Sequence, residues 1–204
     1  MTTAENKIAV VIVAAGLSSR LGTPKQLLRY KGKPLLQHLL QVVIDSNTCH
    51  IIVVLGANAD KITREIDFSN VQIVMNENWQ EGMASSIRCG IQALAPIEYT
   101  IKGALIILCD QPHVTTTLVN SLITEYINTN KPIIASEYNG VLGAPALFHK
   151  SIFPELLQLK GDVGAKLIMQ RYADEIITVA FSKGSVDIDT AADYEKLLKS
   201  SSPL

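Results

Sequence analysis

The sequence of 204 residues predicts an α/β fold, a three-layer α/β/α arrangement around a mainly parallel sheet. Three observations predict it. Short apolar runs rich in Val and Ile recur along the chain, amphipathic helical patterns separate them, and no repeat, low-complexity tract or linker interrupts the alternation. The length suits one core, so 1–204 is read as a single domain with a short polar tail at 1–7 and a C-terminal tail at 199–204.

The first strand is Ile8–Val13. Lys7 followed by "IAVVIVA" imitates a secretory leader, but the run is short, Glu5 weakens the basic flank, and the same pattern returns as "IIVVL" and "ALIIL". A helix follows over Pro34–Asp45, where Leu35, Leu39 and Val43 form a stripe beside Leu36, Leu40 and Ile44, with Pro34 suited to its first turn. Strand Ile51–Leu55, polar helix Asp60–Ile66 and strand Val71–Met75 come next. Met83, Ile87, Ile91 and Leu94 then share a helical face before strand Ala104–Leu108. Leu118, Leu122 and Tyr126 mark another helix, and "PIIASE" a further strand. The last third reads as "ALFHK", helices around Phe153–Leu157 and Gly164–Tyr172, strand "IITVAF", and a helix near Ala192–Leu198.

Composition removes some functions. Lys plus Arg number 18 against 19 Asp plus Glu, which leaves no broad basic footprint for nucleic acid or an anionic membrane. No apolar run reaches the roughly 18 residues that cross a bilayer. Cys49, Cys89 and Cys109 lack metal or redox spacing, so reduced thiols in a cytoplasmic setting are expected.

In open α/β sheets ligands bind beyond the carboxyl ends of strands, so the residues after each run matter most. After the first strand comes "AAGLSSRLGTPKQ". Ala14, Ala15 and Gly16 let a ligand approach the backbone, Ser18 adds a hydroxyl, and Arg20 and Lys25 add positive charge. The spacing is neither a P-loop nor a dinucleotide fingerprint, and a solvated surface loop fits the composition equally well. Asp110, after "ALIILC", suits a magnesium ion held by carboxylates and phosphates, or simply a turn with Pro112. Asp187 and Asp189 fall on one side of an alternating run, with Thr190 placed to cap the next helix; a second metal carboxylate and plain capping both fit. Gly82, Ser85 and Ser86 open a helix whose amides and hydroxyls can hold a base, ribose or phosphate, while Trp79 reads as a packing residue. Asp162 reads as the N-cap of its own helix. His38, His50, His113 and His149 have no metal-ligand spacing, although His113 lies close to Asp110 in sequence.

Six segments in order, "VAAGLSSRLGTPKQLL", "NENWQEGMASSIRCGI", "CDQPHVT", "GAPALF", "FPELLQLKGDVGAK" and "VDIDTAADY", resemble the molybdenum cofactor nucleotidyltransferase family, most closely its cytidylyltransferase branch. The resemblance runs from Val13 to Tyr194. It implies a Rossmann-like nucleotidyltransferase fold and Mg²⁺-dependent transfer of a nucleoside monophosphate to a phosphorylated acceptor, with release of pyrophosphate. It further implies CTP as donor, because the loop reads Ala14-Ala15-Gly16 rather than Ala-Gly-Gly, and molybdopterin as acceptor. Ala14, Ala15, Gly16, Arg20 and Lys25 would contact the nucleotide, and Asp110 and Asp189 would bind the metal. Cys109 and His113 depart from the family pattern. A xanthine dehydrogenase-like molybdenum hydroxylase is the implied recipient of the product. Transfer to a sugar phosphate, a non-catalytic cofactor-delivery module and, last, a nicotinamide-dependent oxidoreductase are the other readings.

Overall fold

A computed structural model describes residues 7–201; positions 1–6 and 202–204 of the expected tails lie outside the described residues. In chain order the strands are β1 (Ile8–Val13), β2 (Arg29–Tyr30), β3 (Lys33–Pro34), β4 (His50–Leu55), β5 (Gln72–Met75), β6 (Gly103–Leu108), β7 (Ile133–Tyr138), β8 (Val141–His149) and β9 (Ile176–Ala180). The helices are α1 (Leu35–Ile44), α2 (Ala59–Glu65), α3 (Met83–Ala93), α4 (Thr116–Thr129), α5 (Phe153–Leu156), α6 (Lys166–Arg171) and α7 (Ala191–Ser201). The last helix therefore continues through positions 199–201, where a tail was expected. Pro34 precedes α1 as its N-cap instead of occupying the first turn.

Seven strands form one sheet in the order β5-β4-β1-β6-β8-β7-β9. β8 runs antiparallel to both neighbours and every other pairing is parallel. Side chains alternate across β1: Ile8, Val10 and Ile12 pack with α1, α2 and α4, while Ala9 and Val11 face α3, α5 and α6. These strands are buried on both faces, which is why they read as unbroken apolar runs rather than alternating ones. Each fully buried Ile or Val contributes about 1.5–3 kcal/mol relative to exposure.

The chain leaves β1 toward β4 and β5, then returns to lay β6 on β1's other side. That reversal opens a crevice beyond the carboxyl ends of β1 and β6.

Two local features depart from the sequence reading. The hairpin β2–β3, turned through Lys31 (φ 48°) and Gly32 (φ 79°), is too short to leave a strand pattern. It seats the C-terminal segment: Tyr30, Leu35, Ile188 and Leu197 cluster there, and the Tyr194 hydroxyl donates to Arg29 O at 2.8 Å. The segment carrying Asp187 and Asp189 is not a strand. It crosses the carboxyl edge of the sheet, held by Ile188 N donating to Asp110 O at 3.1 Å, before Thr190 and Asp193 cap α7 reciprocally.

Helix α3 lies close on the sheet at Gly90, where a Cβ would stand 2.3 Å from Val11 Cγ1. Alanine's better helix propensity, about 1 kcal/mol, is outweighed by a collision with a rigid buried side chain. Gly90→Ala should therefore lower unfolding free energy by about 1–3 kcal/mol in urea titration, and an unchanged midpoint would refute this packing.

Candidate active site

The loop after β1 is held from behind. Ala14 N donates to Val54 O at 3.0 Å and Ala57 N to Ala15 O at 3.0 Å. The buried carboxamide of Gln26 donates to Ala14 O at 2.6 Å and Gly16 O at 3.3 Å. The loop's carbonyls are thus engaged on the protein side. Gly16 is neither left-handed nor crowded, since a Cβ there would meet nothing within 4 Å. Glycine at this point keeps space in the cleft clear. Ser18, at φ 60°, turns its hydroxyl to accept from Lys25 N at 3.0 Å, so it braces the loop internally.

That brace delivers Lys25 to the crevice. Its Nζ lies 3.0 Å from Asp110 Oδ2 and 2.8 Å from Asp189 Oδ1, and Arg20 reaches Asp189 Oδ2 at 3.0 Å. Burial works against the Lys25 ammonium, but the Asp110 charge and the hydrogen bonds to both carboxylates outweigh it, raising its pKa above the usual lysine value. The hydrogen bond from Lys25 lowers the Asp189 pKa, against partial desolvation and helped by Arg20. Asp187 stands beside this group, raised to about 6 first by desolvation of its carboxyl and then by Asp110 and Asp189.

Two carboxylates converging on one cation provide hard oxygen donors, the set preferred by Mg²⁺ and Mn²⁺. Asp110 Oδ1 is buried without a hydrogen-bond partner, which leaves acceptor capacity at the same spot. The residues fit a divalent ion held by Asp110 and Asp189. Among the described residues no group of three or more His, Cys, Asp or Glu is arranged to hold a metal ion, at this site or elsewhere, so an ion here would rest on two carboxylates together with ligand oxygens.

The opposite wall comes from the turn before α3. Trp79, Gly82, Met83, Ser86 and Asp162 line the cleft together with Val13–Gly16, Lys25, Gln26 and Asp110. The first amides of α3 are already used: Met83 N donates to Asp162 Oδ1 at 3.1 Å and Ala84 N to Gly161 O at 3.1 Å. Asp162 therefore caps α3, not its own helix as expected. Ser85 is buried; its hydroxyl donates to Gly82 O and accepts from Asn76, so it supports the helix start without lining the cleft. His113 packs at the edge of Tyr30 with ring centroids 6.4 Å apart and lines a different pocket.

Against this geometry stands a match to the model of the MobA-like NTP transferase domain over residues 10–176. The chain belongs to that family. This MobA-like domain is 27% identical over 201 residues to nicotine blue oxidoreductase of Paenarthrobacter nicotinovorans, spanning 92% of this chain and 95% of that protein. The crystal structure of Rv0371c from Mycobacterium tuberculosis H37Rv matches it with TM-score 0.82 at 30% identity, covering 95% of this chain and 98% of the other. An Rv0371C complex with manganese matches with TM-score 0.80 at 28% identity, covering 96% and 100%. The Rossmann-like α/β fold expected from the sequence is thus the observed one. Among the described residues of this MobA-like domain no helix is long and apolar enough to cross a membrane.

Gln26, Met83 and Asp162's role at α3 escaped the sequence reading. Gln26 stands next to Lys25, which is the one signal that singles it out.

The ion group has a pH signature. Asp189's lowered pKa contributes stability that is present above its ordinary 3.8 and lost as pH falls through the depressed folded value. Lys25→Met should reverse that trend, because two carboxylates left facing each other hold protons more tightly folded than unfolded. In metal-free buffer the variant should lose about 1–2 kcal/mol near neutrality, discounted for the exposure of Asp189, and regain it toward about pH 5. Mg²⁺ should raise its melting temperature more than the wild type's; thermal scans with and without chelator decide, and equal shifts would contradict the shared site.

Proposed function

We propose that this MobA-like domain transfers a cytidylyl group from CTP to the phosphate of molybdopterin, with Mg²⁺, releasing pyrophosphate. The observation that carries the reading is Lys25 Nζ seated between Asp110 and Asp189 at the mouth of the Ala14–Gly16 loop. Small residues allow backbone amides to approach an anion, Lys25 and Arg20 bring positive charge, and two acids supply a divalent site.

The chemistry needs alignment and charge compensation more than a proton-transfer group. A phosphomonoester is largely ionised near neutrality, so its oxygen is already a nucleophile. It bonds to the α-phosphorus of CTP as the bond to the pyrophosphate oxygen breaks in line. The divalent ion held by Asp110 and Asp189 supplies neutralisation of the phosphates when bound. Lys25 and Arg20 offset the charge on the departing pyrophosphate. The loop fixed by Gln26 orients the triphosphate, and Gly82 and Ser86 flank the nucleoside end. None of the four histidines of the sequence is required as base.

A second recess opens from the cleft past Met83 and Leu108. Ile106, Leu142, Ala146, Phe148 and Met169 make it apolar, with Tyr138 and Lys166 at its wall. Such a lining suits a flat heterocyclic body better than a polyhydroxylated sugar, which needs many partners. This favours molybdopterin over a sugar phosphate; a xanthine dehydrogenase-like hydroxylase as recipient of the product follows from the family resemblance alone.

The relative from Paenarthrobacter, named nicotine blue oxidoreductase, favours one other reading, an oxidoreductase, for which a nicotinamide cofactor is the form weighed from the sequence. The glycine spacing after β1 lacks the dinucleotide fingerprint, and an acid pair bridged by lysine has no evident part in hydride transfer.

The deciding assay follows pyrophosphate release from each NTP with Mg²⁺ and molybdopterin, in parallel with NAD(P)H oxidation. CTP should give release, and Asp110→Asn and Lys25→Ala should each reduce kcat/KM by about 10²–10³-fold. NAD(P)H oxidation without pyrophosphate release would replace this reading with the oxidoreductase one.

A further inference from the structure

Tyr138 is the last residue of β7. β7 points the same way as β6, so its carboxyl end lies on the sheet edge that carries Asp110. The hairpin turn Asn139–Gly140, both residues left-handed, then sends β8 back alongside it.

Two glycines give the ring its place. A Cβ on Gly143 would stand 2.1 Å from the Tyr138 hydroxyl and 2.7 Å from Cζ, and one on Gly184 would stand 2.2 Å from Cδ1. Neither glycine has a left-handed backbone, so conformation does not demand glycine at either site. The demand comes from the tyrosine. Phe181 adds an edge contact with ring centroids 6.2 Å apart and planes at 87°. Two segments, β8 through Gly143 and the turn 181–184 through Phe181 and Gly184, thus converge to fix one phenol, which is more than a half-buried packing residue requires.

The place so fixed is the wall where the apolar recess meets the acids. Tyr138 lines the recess, its hydroxyl adjoins Gln111, and it lies within electrostatic reach of Asp187 and Asp110. Burial and those two carboxylates raise its pKa against the opposing effect of Gln111, so the hydroxyl stays protonated and can donate.

We propose that Tyr138 is a further catalytic residue, whose hydroxyl donates a hydrogen bond to the acceptor's phosphate and aims it at the α-phosphorus. The inference rests on the cytidylyltransferase reading. Tyr138 transfers no proton: the acceptor oxygen forms its bond to phosphorus as the bond to pyrophosphate breaks, and the phenol holds a non-attacking oxygen throughout. Gly143 and Gly184 are then positioning residues for that hydroxyl.

The test uses the full chain with CTP, Mg²⁺ and molybdopterin. Tyr138→Phe keeps the ring against Gly184 and Phe181 and removes only the donor. It should lower kcat/KM for molybdopterin about 10- to 100-fold, with CTP affinity and melting temperature unchanged. Gly143→Ala should show a comparable loss, and adding it to Tyr138→Ala should cost nothing more, because the group it displaces is gone. Wild-type kcat/KM in Tyr138→Phe overturns the proposal, as does a loss matched by weakened CTP binding. No pyrophosphate release by the wild type overturns the parent reading instead.

Discussion

The ammonium of Lys25 between the carboxylates of Asp110 and Asp189 joins positions 85 and 164 residues apart in sequence. Like charges about 4 Å apart at a protein surface repel by about 4 kcal/mol, so the two acids, when both ionised, favour a cation between them. Here the chain supplies its own. Each member is held by a different device: Lys25 by a loop braced through Ser18, Asp110 by the buried strand β6, and Asp189 by the neighbouring Ile188, anchored beneath Tyr30. A cation bridge assembled from three independent supports sets the geometry of the crevice before any ligand arrives.

The sheet decides where such an assembly can stand. β1, β4, β5, β6, β7 and β9 all run one way, so all their carboxyl ends open on one edge and their loops gather there. The strands themselves are closed to chemistry because helices cover both faces. The edge is different: backbone groups there lack ladder partners, and a reversal between β4 and β6 around β1 keeps two adjacent loops from crossing. The Ala14–Gly16 loop fills that opening with small side chains, and Gln26 takes up two of its carbonyls from behind.

Legibility in the sequence follows the range of the interaction. β1, β4 and β6 announce themselves because burial on both faces demands uninterrupted apolar residues, a local signal. The hairpin β2–β3 has two residues per strand and no such signal, although it carries the anchor for Asp189. Asp162 looks like a cap for the helix after it, since capping is usually local; its partner amide is 79 residues away. The pairing of Asp110 with Asp189 was not readable from either residue, where turn and cap explanations are locally sufficient. It entered through resemblance of six ordered segments, which register long-range geometry that single motifs do not. Tyr138 left no trace, because the case for it lies in two glycines, Gly143 and Gly184, on other segments.

The segment 161–165 ties the two recesses together. Gly161 O and Asp162 cap α3 beside the cleft of the Ala14–Gly16 loop, while Val163, Gly164 and Ala165 line the apolar recess. Gly164, left-handed at φ 57°, lies against Met83, whose Sδ would be 2.9 Å from a Cβ there, and Met83 lines both spaces. Arg88 adds a strap, joining Leu159 O at 2.6 Å to Glu81 in the turn before α3. A displacement of Gly82 or Met83 therefore bears on the wall of the neighbouring recess through packed atoms. The shapes of the two spaces are mechanically one problem, a coupling that the proposed transfer between two separately held phosphates would use.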